Sequence, residues 1–286
     1  ALSLMRIVIG IILLLDLAIR SLSITAFFTD EGVLPIDVLK QYNWSPAYFS
    51  FHAANGELWW QAILFIVNAI CVVFLLVGYR ARLFTLICWV FLTSIQNRNP
   101  FILQGGDDLL RILLFWGIFL PWGERYSVQK TSHYSTSYFS WANIGYLLLP
   151  FSIFFFSAFL KTSPEWRTEG TAIYYALSLD QIRLPFGTFI YQFPTLLKAL
   201  TFFVFYTELF APLLLVIPFV PNKVRQIGII LYACVFIGIS MSLYVGLFYI
   251  IGLVSLIGLF PSGCMDWFEK QFYKNKTTII DLTSEE

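Results

Sequence analysis

Residues 58–79, "LWWQAILFIVNAICVVFLLVGY", carry no charged side chain. At a rise of about 1.5 Å per residue, such a run folded as a helix crosses the ~30 Å hydrocarbon layer of a membrane. The pattern returns in "RIVIGIILLLDLAIRS", "YLLLPFSIFFFSAFL" and "ALTFFVFYTELFAPLLLVIPFV". In lipid every backbone N–H and C=O must find its partner within the protein, so only helices and closed barrels span it. The alternation of a barrel is absent. With 58% hydrophobic and 12% charged residues, the chain lacks the polar surface a soluble domain of this size needs.

These features predict an all-α polytopic integral membrane bundle of about eight transmembrane helices. The spans fall near residues 3–27, 58–79, 83–98, 109–122, 141–161, 196–219, 226–246 and 247–262, the last two as a tight hairpin or one broken element. Residues 1–262 read as one membrane domain, with a lid-like loop at 162–195, and 263–286 as a polar tail. Arg80, Arg82, Arg125, Lys130, Lys223, Arg225, Lys270, Lys274 and Lys276 collect on one side of this topology. The positive-inside rule makes that side cytoplasmic, with both termini on it and the 162–195 loop opposite. Trp59, Trp60, Trp122 and Trp141 fall near helix ends, where indole rings anchor at the headgroups. Asp16 and Arg20 argue against removal of the first apolar segment as a signal peptide.

A net charge of +1 without a basic tract gives no reason to expect nucleic acid. Cys71, Cys88, Cys234 and Cys264 are scattered, and with His52 and His133 they form no metal-ligand spacing. Gly238, Ser242 and Gly246 recur every four residues, a small-residue stripe suited to close helix packing.

Charges inside the apolar runs are the functional candidates, because each costs about 2.5–3.5 kcal/mol to place at a bilayer centre. Asp16 and Arg20 share one helix face at a spacing of four. Asp107, Asp108 and Arg111 repeat the arrangement at the start of the fourth span, and the two groups could meet as a four-charge network. Glu208 has no partner on its own helix and needs Arg20, Arg111 or Lys161. Arg98 and Asn99, with Asn97 and Gln104, are expected at the mouth of a polar cavity; Glu165, Arg167 and Tyr175 lie on the loop above it. Lys161 ends an apolar span and reads either as a snorkelling anchor or as a base sharpened by desolvation.

"LDLAIRS", "FFTDEGVLP", "GYRARL", "SIQNRNPFILQGGDDLLRILLFWGIFLPWGERYS" and "FLKTSPEWRTEGTAIYYALSLDQ" with "ELFAPLLL" resemble the HTTM family, the membrane domain shared with vitamin K-dependent gamma-carboxylase. The resemblance covers about residues 10–262. It implies a bundle of about eight helices in a bacterial cytoplasmic (inner) membrane, a quinone-like ligand, and a base at Lys161, which sits where the carboxylase holds a lysine that deprotonates reduced vitamin K. The chain departs from that pattern in having no histidine in the loop before the fourth span, "NRNPFILQGGDD", and in Phe236 where the seventh span would carry one; it is also expected to lack the carboxylases' large extracytoplasmic domain. Full carboxylase activity is therefore not expected. The competing expectations are a membrane enzyme with Lys161 and Glu208 acting on a quinol-like substrate, a non-enzymatic factor that matures or exports a secreted peptide, and an accessory subunit of a larger membrane protein complex.

Overall fold

The computed structural model describes residues 1–129, 140–217, 219 and 221–260. The expected tail at 263–286, His133, Cys264, Lys130, Lys270, Lys274 and Lys276 lie outside the described residues. All the regular secondary structure of the described chain is helical, with one isolated β-bridge between Arg183 and Leu243. Its α-helices are α1 (Leu2–Ser21), α2 (Ile24–Phe28), α3 (Ile36–Tyr42), α4 (Leu58–Val77), α5 (Ala81–Arg98), α6 (Gly105–Phe119), α7 (Trp141–Leu160), α8 (Pro164–Arg167), α9 (Ala172–Leu177), α10 (Pro185–Tyr191), α11 (Pro194–Val216), α12 (Asn222–Ser242) and α13 (Phe248–Ile257).

Five of these, α1, α4, α7, α11 and α12, are long and apolar enough to cross a membrane. The other three expected spans are shorter or more polar: α6 has 15 residues, α13 has 10, and α5 carries Arg82 and Arg98 in its 18. The first span ends sooner than its apolar run suggests. Leu22 caps α1, Ser23 leaves helical geometry, and the chain turns into α2.

Two apolar cores hold the helices together. The first gathers α1, α4, α5, α6 and the start of α7 around residues such as Ile9, Val72, Cys88 and Leu113. The second packs α7, α11 and α12 around Phe154, Tyr232 and Phe236. Both α7 and α13 belong to the two cores at once: Tyr146 and Ile251 lie in the first, Phe154 and Leu256 in the second. The Tyr146 hydroxyl donates to the Ser255 carbonyl, which ties these two connectors to each other.

Trp122 is fully buried rather than placed at a headgroup level. Its ring fills the space beside Gly117, and its Nε1 donates to Thr85 Oγ1 at 3.2 Å. Trp141, 84% exposed, and the half-exposed Trp59 keep positions open to an interface. The small-residue stripe is not one continuous packing face: Ser242 is buried, but the position one turn before it is open. A Cβ added at Gly238 would meet nothing within 4 Å, and Gly246 lies beyond the end of α12.

At the end of the bundle where α1, α5, α7 and α12 finish, the connecting segments are tied down by side chains. Arg98, fully buried, donates from one terminal nitrogen to the Leu34 carbonyl at 2.7 Å and pairs with Asp30 at 3.4 Å. Asn99 Nδ2 donates to the Phe27 carbonyl at 3.0 Å. Ser94 Oγ accepts the Phe51 N–H at 2.8 Å and lies 2.8 Å from His52 Nδ1. The loop 162–195 forms the three short helices α8, α9 and α10. Leu184 N–H donates to the Ser242 carbonyl and Tyr244 N–H to the Ile182 carbonyl, joining the loop to the end of α12.

Candidate functional site

Two polar constellations interrupt the apolar interior. The first is built by α1, α6 and the α12–α13 connection. Arg20 Nε donates to Asp16 Oδ2 at 2.8 Å, as the spacing of four on α1 allows, and the same guanidinium reaches across to Asp107 on α6. Asp107 is placed by a capping box: its Oδ2 accepts the Gln104 N–H at 2.8 Å, closing the first turn of α6. Gln96 of α5 donates to the Asp107 carbonyl at 2.9 Å, so this residue is held from a second helix. The expected four-charge network is therefore a triad. Asp108 and Arg111 pair with each other at 2.5 Å on the outer face of α6, because residues at a spacing of three share a face that Asp107 does not.

The triad forms the floor of a cleft of about 420 Å³. Gln104 completes its polar wall, and Phe27, Ile102, Tyr244 and Tyr249 line the apolar one. The short connection after α12 shapes its rim. Gly246 adopts φ +60, and a Cβ there would lie 2.0 Å from Gln104 Oε1, so only glycine lets the backbone fold this closely over the α6 start. Arg98 and Asn99 do not line this cleft; they are buried in contacts with the segment that holds Phe27, Asp30 and Leu34. No residue of the 162–195 loop lines the cleft either.

The second constellation joins α7 to α11. The Lys161 ammonium is paired with the Glu208 carboxylate, and both side chains are largely shielded, at 17% and 8% exposure. Glu208 lies fourteen positions beyond the start of α11, and its partner comes from the neighbouring helix rather than from Arg20 or Arg111. Trp166 of α8 lies over the Lys161 nitrogen, with the ring centroid 4.2 Å away. Arg167 Nε donates to the Lys161 carbonyl at 2.9 Å, fixing the turn that sets Trp166 in place. Glu165 is half-buried; the Ser163 side chain holds its carboxyl below the usual range. Tyr175 is exposed beside Tyr174.

Behind Glu208, Tyr232 of α12 is fully buried and its hydroxyl has no hydrogen-bond partner among the described residues. The phenol lies within electrostatic reach of the Glu208 carboxylate. Phe154 stacks on its ring at 3.9 Å, and Phe154, Phe236 and Phe248 continue as a line of edge contacts towards the first constellation. Phe236 thus occupies an aromatic bridge between the two polar sites.

Sequence reasoning did not find Trp166, Tyr232, Tyr244 or Tyr249. In a chain with 19% aromatic residues no single ring stands out, and their placement depends on how the α8 turn and the α12 end fold back. Among the described residues no group of three or more His, Cys, Asp or Glu side chains is arranged to hold a metal. In comparisons with known proteins, no family model, curated protein or solved structure matches the chain.

Proposed function

We propose that the chain is an HTTM-type enzyme of a bacterial cytoplasmic membrane, in which Lys161 and Glu208 together deprotonate a lipid-soluble, quinol-like substrate. The observation that carries this reading is the Lys161–Glu208 pair beneath Trp166. A lysine serving only as an anchor would extend its ammonium into the headgroups. Here the ammonium turns inward to a carboxylate and an aromatic face, at the edge of helices whose outer sides present Phe156, Phe159, Phe203 and Tyr206 to lipid.

The pair has two arrangements that differ by one proton moved along a hydrogen bond: ammonium with carboxylate, and amine with carboxylic acid. In the second, Lys161 offers a lone pair. It takes the proton from a bound phenolic hydroxyl, and the products are a phenolate, the Lys161 ammonium and a protonated Glu208. Glu208 is thus the net proton acceptor, and Lys161 remains as the counter-charge to the phenolate it has formed. Trp166 supplies a flat apolar surface beside the reacting group and keeps water from screening it.

The membrane arrangement belongs to the same proposal. The shorter α5, α6 and α13 complete eight crossings, which returns both chain ends to the cytoplasmic side and places Lys161 towards the opposite face. The test is spectroscopic. A reduced naphthoquinone added to the protein in anaerobic nanodiscs should show the red-shifted absorbance of its phenolate. Lys161→Ala and Glu208→Gln should each abolish that shift, and Lys161→Arg should not restore it, because arginine stays protonated. An unchanged shift in Lys161→Ala, or full rescue by arginine, would remove the base.

A further inference from the structure

The cleft above the Asp16–Arg20–Asp107 triad is separate from the Lys161 pair and has its own chemistry. Two carboxylates face one guanidinium, so the floor is left with an excess of one negative charge when all three are ionised. Arg20 is already engaged by both acids. Of the acids, Asp107 has both oxygens occupied, by Arg20 and by the Gln104 N–H. Asp16 accepts from Arg20 through Oδ2 alone, and its Oδ1 takes no hydrogen bond among the described residues. The walls beyond are apolar and aromatic, from Phe27, Ile102, Tyr244 and Tyr249. A volume of about 420 Å³ falls within the range of small-ligand sites.

We infer that this cleft binds the primary ammonium head of an amphiphile, with the N–H groups on Asp16 Oδ1 and the apolar body along Phe27, Ile102 and Tyr249. Charge complementarity excludes an anionic head, whose only cationic partner here is already neutralised. The open carboxylate oxygen distinguishes a primary ammonium from a quaternary one, since only the former donates hydrogen bonds. The rings favour either cation, so the discrimination rests on Asp16. Two sources supply such a head: the phosphatidylethanolamine of the bilayer, entering from the side, and a free long-chain amine.

The experiment uses the full chain in nanodiscs of equal parts phosphatidylethanolamine, phosphatidylcholine and phosphatidylglycerol, read by native mass spectrometry of retained lipid. Retention of phosphatidylethanolamine about tenfold above the other two, the value of one charge-assisted hydrogen bond, is the expected result; Asp16→Asn should remove the preference. Titration with dodecylamine in lipid-free detergent forms the second arm. If dodecylamine binds in an Asp16-dependent way and phosphatidylethanolamine is not enriched, the ammonium site stands with a free amine as its source. Equal retention of the three lipids without dodecylamine binding, preference for phosphatidylcholine or phosphatidylglycerol, or a preference that survives Asp16→Asn would overturn it. Asp108→Asn, on the outer face of α6, controls for a general loss of charge. Thermal melting of each variant shows whether the fold is retained.

Discussion

At the scale of single residues, the burial of charge sets the terms. Lys161 and Glu208 are shielded together, so removing one leaves the other without its partner. Lys161→Ala and Glu208→Ala should each destabilise the fold by about 3–5 kcal/mol, whereas the double replacement Lys161→Met with Glu208→Leu should recover most of that loss. Thermal melting in detergent reads both effects. The likeness of the single losses, set against their recovery in the double variant, would show that the cost lies in the unpaired charge. His52 makes a second residue-scale prediction. Burial, with Arg98 nearby, pushes its imidazole down to about 3, from an ordinary value of 6.5. The unfolded chain therefore takes up the proton first as pH falls. The neutral ring contributes fully above pH 6.5, and its contribution is lost as pH falls from there towards 3, by up to about 1.4 kcal/mol per pH unit. The difference in stability between wild type and His52→Gln, followed by melting, should shrink across that window and be constant above it. The intramembrane charges were legible in the sequence because each is so unfavourable in lipid. Their pairing across helices was legible only in part: a spacing of four joined Asp16 to Arg20, but nothing local says that Arg20 reaches Asp107 or that Lys161 reaches Glu208. His52 and Arg98 were opaque for a related reason, since loop residues gain their partners only when the loop folds back onto helix ends.

At the scale of elements, glycine separates real close packing from its appearance in the sequence. A stripe at every fourth residue pointed to Gly238, but the space beside it is open. The close approach is instead at Gly117, where a Cβ would lie 2.1 Å from the fully buried Trp122 ring. Gly117→Ala should therefore destabilise by about 1–3 kcal/mol through overpacking. Gly238→Ala in α12 should be neutral or stabilising by up to about 1 kcal/mol, through helix propensity alone. Melting of the two variants side by side checks both, and a large loss at Gly238 would point to a contact on that face that α12 makes outside this chain. Helix positions were readable from apolar runs, while their lengths were not. The first run continues in composition past Leu22, yet the helix stops there, and α6 ends at Phe119 so that Trp122 can turn back into the core.

At the scale of the whole molecule, the two apolar cores each enclose one polar site at the same end of the bundle, and α7, α13 and a line of aromatic rings join them. On the proposed reading, the triad side binds by charge and shape and the Lys161–Glu208 side carries the proton chemistry. Phe236 lies in this apolar bridge, with Gly252 giving room to its ring. The central claim is that the Lys161–Glu208 pair is the reactive centre for a hydrophobic ring substrate. The most direct measurement is native mass spectrometry of the protein extracted with its own membrane, followed by identification of every small molecule released. A quinone or quinol should be retained by wild type and lost from Glu208→Gln at a temperature where melting shows that variant still folded. Release of phospholipid alone from a folded wild-type protein, or equal retention of the quinone by Glu208→Gln and Lys161→Ala, would contradict the assignment and leave the pair as a clamp between α7 and α11.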